Sequence, residues 1–118
     1  MRYVKIKSNY EDPKEVFRKI SKSVFSSDPY FFKKSSCHAK LVNELKKNNY
    51  PDNYKIVLIG KDDLGVTHSL IADDKGNIVF GGPDKLSKDI NTDQIKKNLQ
   101  GINKKWSATI KEIKKLAK

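Results

Sequence analysis

The chain is poor in several residue types: 118 residues hold one cysteine, one tryptophan, one methionine, four prolines and six glycines. A single cysteine excludes an internal disulfide, so no covalent staple replaces a hydrophobic core. With so little proline and glycine, collagen-like and low-complexity chains are excluded as well. Long apolar runs are missing. The longest, Ile56 to Ile59, falls far short of the roughly 20 residues a membrane-spanning helix needs. Residues 1 to 20 contain no apolar signal segment, which makes the cytoplasm the expected location and gives the membrane no part in the reading. Arginine is scarce too: only Arg2 and Arg18 accompany 23 lysines. Guanidinium is the usual group for bidentate recognition of phosphates and bases, so its scarcity weakens any reading as a sequence-specific nucleic-acid binder.

What the chain does have is enough apolar material for one core. Hydrophobic residues make up 36% and charged residues 33%, a balance that excludes a wholly disordered chain and fits a single domain over 1–118. Basic residues number 25 against 14 acidic ones, for a net charge of +11. Nine asparagines accompany the lysines, a bias that an AT-rich coding sequence produces without any functional demand. The charge supports salt-sensitive attraction to polyanions and does not by itself define a site.

Patterning gives the elements. Tyr3 to Lys7 alternates and reads as a short strand. Asp12 as N-cap, Pro13 at the first helical position and Glu15 in a capping-box position open a helix over 13–25, with Val16, Phe17, Ile20 and Val24 as its apolar stripe. Ser26-Ser27-Asp28-Pro29 breaks it. Either Ser35 or Ser36 can cap a second helix that starts at or beside Cys37. His38, Leu41, Val42 and Leu45 recur at helical spacing there, up to Asn48-Asn49. The period then changes. Tyr54 to Ile59 and Val66 to Asp73 read as strands around a turn at 61–65, with Val66, His68, Leu70 and Ala72 on one face. A turn at Asp74 to Asn77 leads into a third strand from Ile78. The fold class is therefore α+β, a small antiparallel sheet of three or four strands packed with helices. One long amphipathic helix is expected over about 92–117, because Ile95, Leu99, Ile102, Trp106, Ile110, Ile113 and Ala117 lie within about 40° of one line at 100° per residue. Its flank carries Lys96, Lys97, Lys104, Lys111, Lys114, Lys115 and Lys118, a basic surface for an acidic protein or nucleic acid, and the helix could project and pair as a homodimer.

One constellation could carry chemistry. Cys37 stands at a helix start, where unpaired amide hydrogens and the helix dipole favour a thiolate. His68 stands mid-strand. Acyl transfer by a thiol needs such an imidazole and a third group to fix its tautomer. A hairpin turn centred on 74–76 sets His68 opposite residues 81 to 83, which brings Asp84 within roughly 3 to 10 Å along the strand. Asp73 and Asp74 fall near the hairpin tip, too far away. Asp84 could equally cap the following segment or sit in a Pro-Asp turn. Cys37 could equally be a small buried hydrophobe. His38 reads as a surface or half-buried helical residue, and Cys37, His38 and His68 lack a structural-zinc spacing, so neither metal nor cofactor is called for. Gly81-Gly82 could be a strand end or leave room for a substrate backbone. Trp106 belongs to the core stripe. Tyr30-Phe31-Phe32-Lys33-Lys34 could be core aromatics followed by a solvated lysine pair, could shape a cleft, or could stack bases.

A Cys opening a helix, a His on a strand and an Asp sixteen residues later resembles the core of papain-like cysteine hydrolases. Transglutaminase-like proteins and the bacteriocin-processing peptidase domains of peptide exporters are the most similar in pattern. The stretch is Ser36-Cys37-His38-Ala39-Lys40-Leu41-Val42, Thr67-His68-Ser69-Leu70-Ile71-Ala72 and Gly82-Pro83-Asp84, within about 35–85. The resemblance implies Cys37 as nucleophile, His68 as base and Asp84 as orienter, with the Cys37 amide in an oxyanion hole. Many of these enzymes carry a glutamine just before the cysteine. Here Gln94 and Gln100 both lie downstream, so Ser35, Ser36 or Asn9 would have to supply the second oxyanion donor. Two functions follow as alternatives: a Cys-His-Asp hydrolase or acyltransferase acting on an amide in a protein or peptide, and a non-enzymatic basic module for an acidic protein or nucleic acid. A third possibility keeps the papain-like fold for binding without turnover.

Overall fold

A computed structural model of the chain describes residues 10–26, 37–81 and 104–117. Helix α1 spans Pro13–Phe25, helix α2 Cys37–Lys47, strand β1 Lys55–Lys61, strand β2 Gly65–Ala72, strand β3 Ile78–Phe80, strand β4 Lys104–Thr109 and helix α3 Ile110–Leu116. The strands form one antiparallel sheet in the order β3-β2-β1-β4, so the α+β class holds.

The two predicted helices start where their signals lie. The Asp12 side chain accepts from the Lys14 amide at 3.1 Å, and Pro13 occupies the first turn. Glu15 does not close the expected capping box. Its carboxylate bonds Arg18 one turn along, a nearer and charged partner. Val16 and Ile20 are buried, with Phe17 and Val24 packed against them, so α1 turns its predicted stripe to the core. Leu41, Val42 and Leu45 do the same for α2. Both stripes meet Ile56, Leu58, Val66 and Ile71 on one face of the sheet, together with Ile110 and Ile113 of α3.

The expected single face of β2 is split. Val66 packs with Leu58 and Ile71, whereas Leu70 and Ala72 pack with Val57, Ile59 and Ile78 on the other side. Ile59 pairs with His68 but Gly60 pairs with Val66, so Thr67 is an extra residue in β2. This β-bulge resets the alternation between 66 and 68, which strict period-2 counting cannot foresee. Close backbone packing accompanies it. A Cβ at Gly60 would lie 1.8 Å from the Gly65 carbonyl oxygen, and Gly65, with φ of 70°, receives Glu11 in an isolated parallel bridge.

The largest correction concerns the carboxy-terminal segment. Residues 104–109, read as the middle of a long helix, are strand β4, and α3 is only seven residues long. Trp106 and Ile110, four residues apart, suit period 2 as well as period 3.6, and Ala108 between them completes an alternating face. The free edge of β1 decides between them, pairing from Lys55↔Thr109 to Gly60↔Lys104. Trp106 keeps its expected contact with the main core, but from a strand. Thr109 then starts α3 with a full capping box: its hydroxyl accepts from the Glu112 amide at 3.1 Å, and the Glu112 carboxylate accepts from the Thr109 amide at 2.8 Å. The Ile110 and Lys111 amides find the carbonyls of Tyr54 and Asp52. Ile110 and Ile113 are buried against the fold, and the Ser21 hydroxyl donates to the Ile113 carbonyl, so this part of the stripe is internal rather than offered for pairing. The expected strand at 3–7 and the rest of the long helix, with Lys96, Lys97 and Lys118, lie outside the described residues. Among the described residues no helix is long and apolar enough to cross a membrane.

Candidate active site

Cys37 is the first residue of α2, and its thiol is half-buried. That position puts the sulfur beside amides of the first turn that have no partner within the helix. Helix α2 packs on β2, and the sulfur comes within 4.0 Å of the Thr67 carbonyl oxygen, at the bulge. Bulges turn backbone groups and side chains away from the regular ladder, and here the turn lies beside a thiol.

Two imidazoles act on Cys37. His38 Nδ1 lies 3.7 Å from the sulfur, and His68 on β2 follows Thr67, whose carbonyl oxygen is 4.0 Å from it. Burial by itself would raise the thiol pKa. The hydrogen bonds from His38 and His68, with the charges of both rings, outweigh it and lower the pKa from the ordinary 9.0 to about 5. Burial likewise pulls His68 down, but its bonds to Cys37 and to the Gly81 carbonyl, with the thiolate charge, bring the net shift upward. Both shifts favour one charged pair, a thiolate beside an imidazolium.

His68 has a partner that the sequence did not suggest. His68 Nε2 donates to the Gly81 carbonyl oxygen at 2.5 Å. A carbonyl only accepts, so Nε2 carries a proton and Nδ1 is the nitrogen left for sulfur. Hairpin counting was sound up to this point: Ile71 pairs with Phe80, which brings the end of β3 toward His68. Gly81 has φ of 90°, and a Cβ there would lie 3.0 Å from Leu70 Cα, so glycine permits the turn that presents this carbonyl. Asp84 lies outside the described residues, as do the oxyanion candidates Ser35, Ser36 and Asn9.

Sequence reasoning missed the role of three groups: the Gly81 carbonyl, His38, and Ser69, whose Oγ is 2.8 Å from His38 Nδ1. Ser69 is 1% exposed; the signal the sequence offered was a serine next to a candidate catalytic histidine in an apolar strand, without its burial. Among the described residues, no group of three or more His, Cys, Asp or Glu side chains gathers in a metal-holding arrangement.

Among the described residues, the lysines expected on one helix flank are spread over two elements. Lys104 is on β4 and pairs with Asp62 at 3.2 Å; Lys114, on α3, pairs with Asp52 at 2.7 Å and lies 5.7 Å from the Phe25 ring centre. Lys111 and Lys115 are exposed on α3. No family model, curated protein or solved structure matches the chain.

Proposed function

We propose that this chain is a small cysteine hydrolase or acyltransferase acting on an amide bond in a protein or peptide, with Cys37 as nucleophile and His68 as general acid and base. One observation carries the reading: a half-buried thiol opens a helix beside the β2 bulge, 4.0 Å from the Thr67 carbonyl oxygen, and the next residue, His68, has its Nε2 fixed by a backbone carbonyl. In the reaction the Cys37 thiolate attacks the carbonyl carbon, forming a C–S bond and an oxyanion. The first-turn amide of Cys37 faces that charge, and the loss of one oxyanion donor costs about 10²–10³ in rate. The His68 imidazolium protonates the leaving nitrogen as the C–N bond breaks. Water, or an acceptor amine, then gives a proton to His68 and attacks the thioester, releasing the acyl group and restoring the thiolate. In this reading the Gly81 carbonyl holds the tautomer, and the resemblance to papain-like enzymes assigns Asp84 to support it. With a domain this small, the substrate is a flexible tail or a protein gripped by surfaces outside the site.

The test is acyl-enzyme capture. Intact mass after exposure to peptide and amino-acyl esters should show one acyl adduct on the wild-type chain and none on Cys37→Ser. His68→Ala should form the adduct far more slowly. A wild-type chain that is never acylated, with a thiol no more reactive than that of the unfolded chain, overturns the reading.

A second reading, a basic module for an acidic protein or nucleic acid, draws on exposed Lys111 and Lys115 beside β4 and on the net charge of +11. It requires binding that weakens steeply with salt and ignores Cys37→Ser. The ion pairs that Lys104 and Lys114 make within the fold leave it the weaker of the two.

A further inference from the structure

The site has two imidazoles, and the proposed reaction uses one. We infer that His38 is a second catalytic residue of this site, an Nδ1–H donor to the Cys37 sulfur whose ring is held in place by the buried hydroxyl of Ser69. The inference rests on the hydrolase reading for its place in the cycle, but its geometry stands apart from any substrate.

His38 Nδ1 lies between two partners, 3.7 Å from the Cys37 sulfur and 2.8 Å from Ser69 Oγ. The first distance is within reach of a hydrogen bond to sulfur, which is a larger atom than oxygen. Ser69 comes from the centre of β2 and shares the helix-facing side with Ile71, so α2 lays His38 over it. At 1% exposure its hydroxyl has no route to bulk water, so the contact with His38 is not easily exchanged for solvent.

This arrangement gives the two rings different tasks. The Gly81 carbonyl fixes Nε2 of His68, leaving the other nitrogen to exchange a proton with the reacting groups. No proton needs to leave His38. In the resting state its Nδ1–H is shared between the thiolate and Ser69 Oγ, and the negative charge draws it to sulfur. Once the sulfur is acylated it loses that charge and becomes a poor acceptor. The Nδ1–H then rests on Ser69 Oγ alone, so no buried donor is orphaned. When the thioester is cleaved, the donor returns to sulfur and favours its departure as thiolate.

The test reads the pH profile of Cys37 alkylation by iodoacetamide, which needs no substrate, alongside turnover of whichever ester acylates the chain. Among the described residues, His38 and His68 are the titratable groups that act on the sulfur. His38→Leu should move the acidic limb of the alkylation profile up by about one pH unit, so that alkylation on that limb is about tenfold slower. The basic limb of turnover, set by His68, should stay in place. His38→Asn puts an amide N–H near the Nδ1 position and should restore most of the rate. Ser69→Ala should shift the acidic limb in the same direction by less, and Ser69→Thr should not shift it. Coincident profiles for the wild type, His38→Leu and Ser69→Ala overturn the inference even if turnover is found. So does a folded His38→Asn that is no faster than His38→Leu. A shifted limb in a chain that turns over no ester supports His38 as the thiolate's partner and counts against the hydrolase reading instead.

Discussion

The α2–β2 pair and the β4–α3 segment are built by opposite rules. In α2–β2, local signals and final packing agree on the type of each element: the helix opens at Cys37, Leu41, Val42 and Leu45 face inward, and β2 lies under them, departing from its expected alternation only at the Thr67 bulge. In β4–α3, the local helical period from Trp106 onward gives way to the unpaired edge of β1, which takes residues 104–109 as a strand. The difference teaches what decides an ambiguous segment. Where every apolar residue already has a partner under its own period, propensity is enough. Where a sheet edge with unsatisfied amides lies alongside, pairing wins. Charge follows the same division. The first region gathers a thiol and two imidazoles, whereas the second carries lysines, two of them paired with aspartates.

The comparison breaks most sharply through function. Cys37→Ser should abolish covalent acylation and turnover, while the pair Lys111→Glu and Lys115→Glu should leave the alkylation rate of Cys37 within about twofold, since exposed charges act weakly on a distant half-buried group. If the lysine variants abolish turnover and Cys37→Ser spares it, the chemical centre has been put in the wrong region. Next in size is packing. Ile113, at 0% exposure, joins α3 to the core, and Ile113→Ala should lower unfolding stability by about 2–5 kcal/mol by denaturant titration. Ile71→Ala should cost about as much and also disturb the site, because Ile71 is two residues from Ser69.

A smaller effect, on the order of 1–3 kcal/mol, is expected for Gly65→Ala. The new Cβ would lie 2.1 Å from the Glu11 carbonyl at a φ of 70°. Its stability loss should come with slower Cys37 alkylation if the bulge at Thr67 positions the site. Smallest is Thr109→Ala, which removes the α3 capping box and should cost about 1 kcal/mol in the same titration. A loss several times larger would mean that Thr109 does more than cap, for instance by anchoring the end of β4.

Much of the fold was legible. Asp12-Pro13 and the stripe from Val16 fixed α1, and the apolar run from Ile56 fixed β1. The approach of Cys37 to the strand that carries His68 was legible as well, because a cysteine at a helix start and a histidine on a neighbouring strand are local facts that packing then brings near each other. The bulge was not. It depends on glycines at 60 and 65 letting Glu11 and the 61–65 turn pack closely, a contact between distant parts of the chain. Nor was the partner of His68 Nε2 legible: side chains are what a sequence displays, and the group bonded there is the backbone carbonyl of Gly81. His38 read as one more position on a helical stripe, because its partner Ser69 is polar but buried, and burial shows only once α2 is laid on β2.

Acylation needs a thiolate and an imidazolium together. The thiolate forms as pH rises through about 5, and His68 gives up its proton only above a pKa raised from the ordinary 6.5, so turnover should be bell-shaped with its plateau between these limits. The most direct test is the rate of Cys37 alkylation by iodoacetamide in the native chain across this range, with His68→Ala beside it. The wild-type rate should rise with a midpoint near 5, and His68→Ala should move that midpoint upward. A wild-type midpoint near 9.0, unchanged by His68→Ala, would contradict the account.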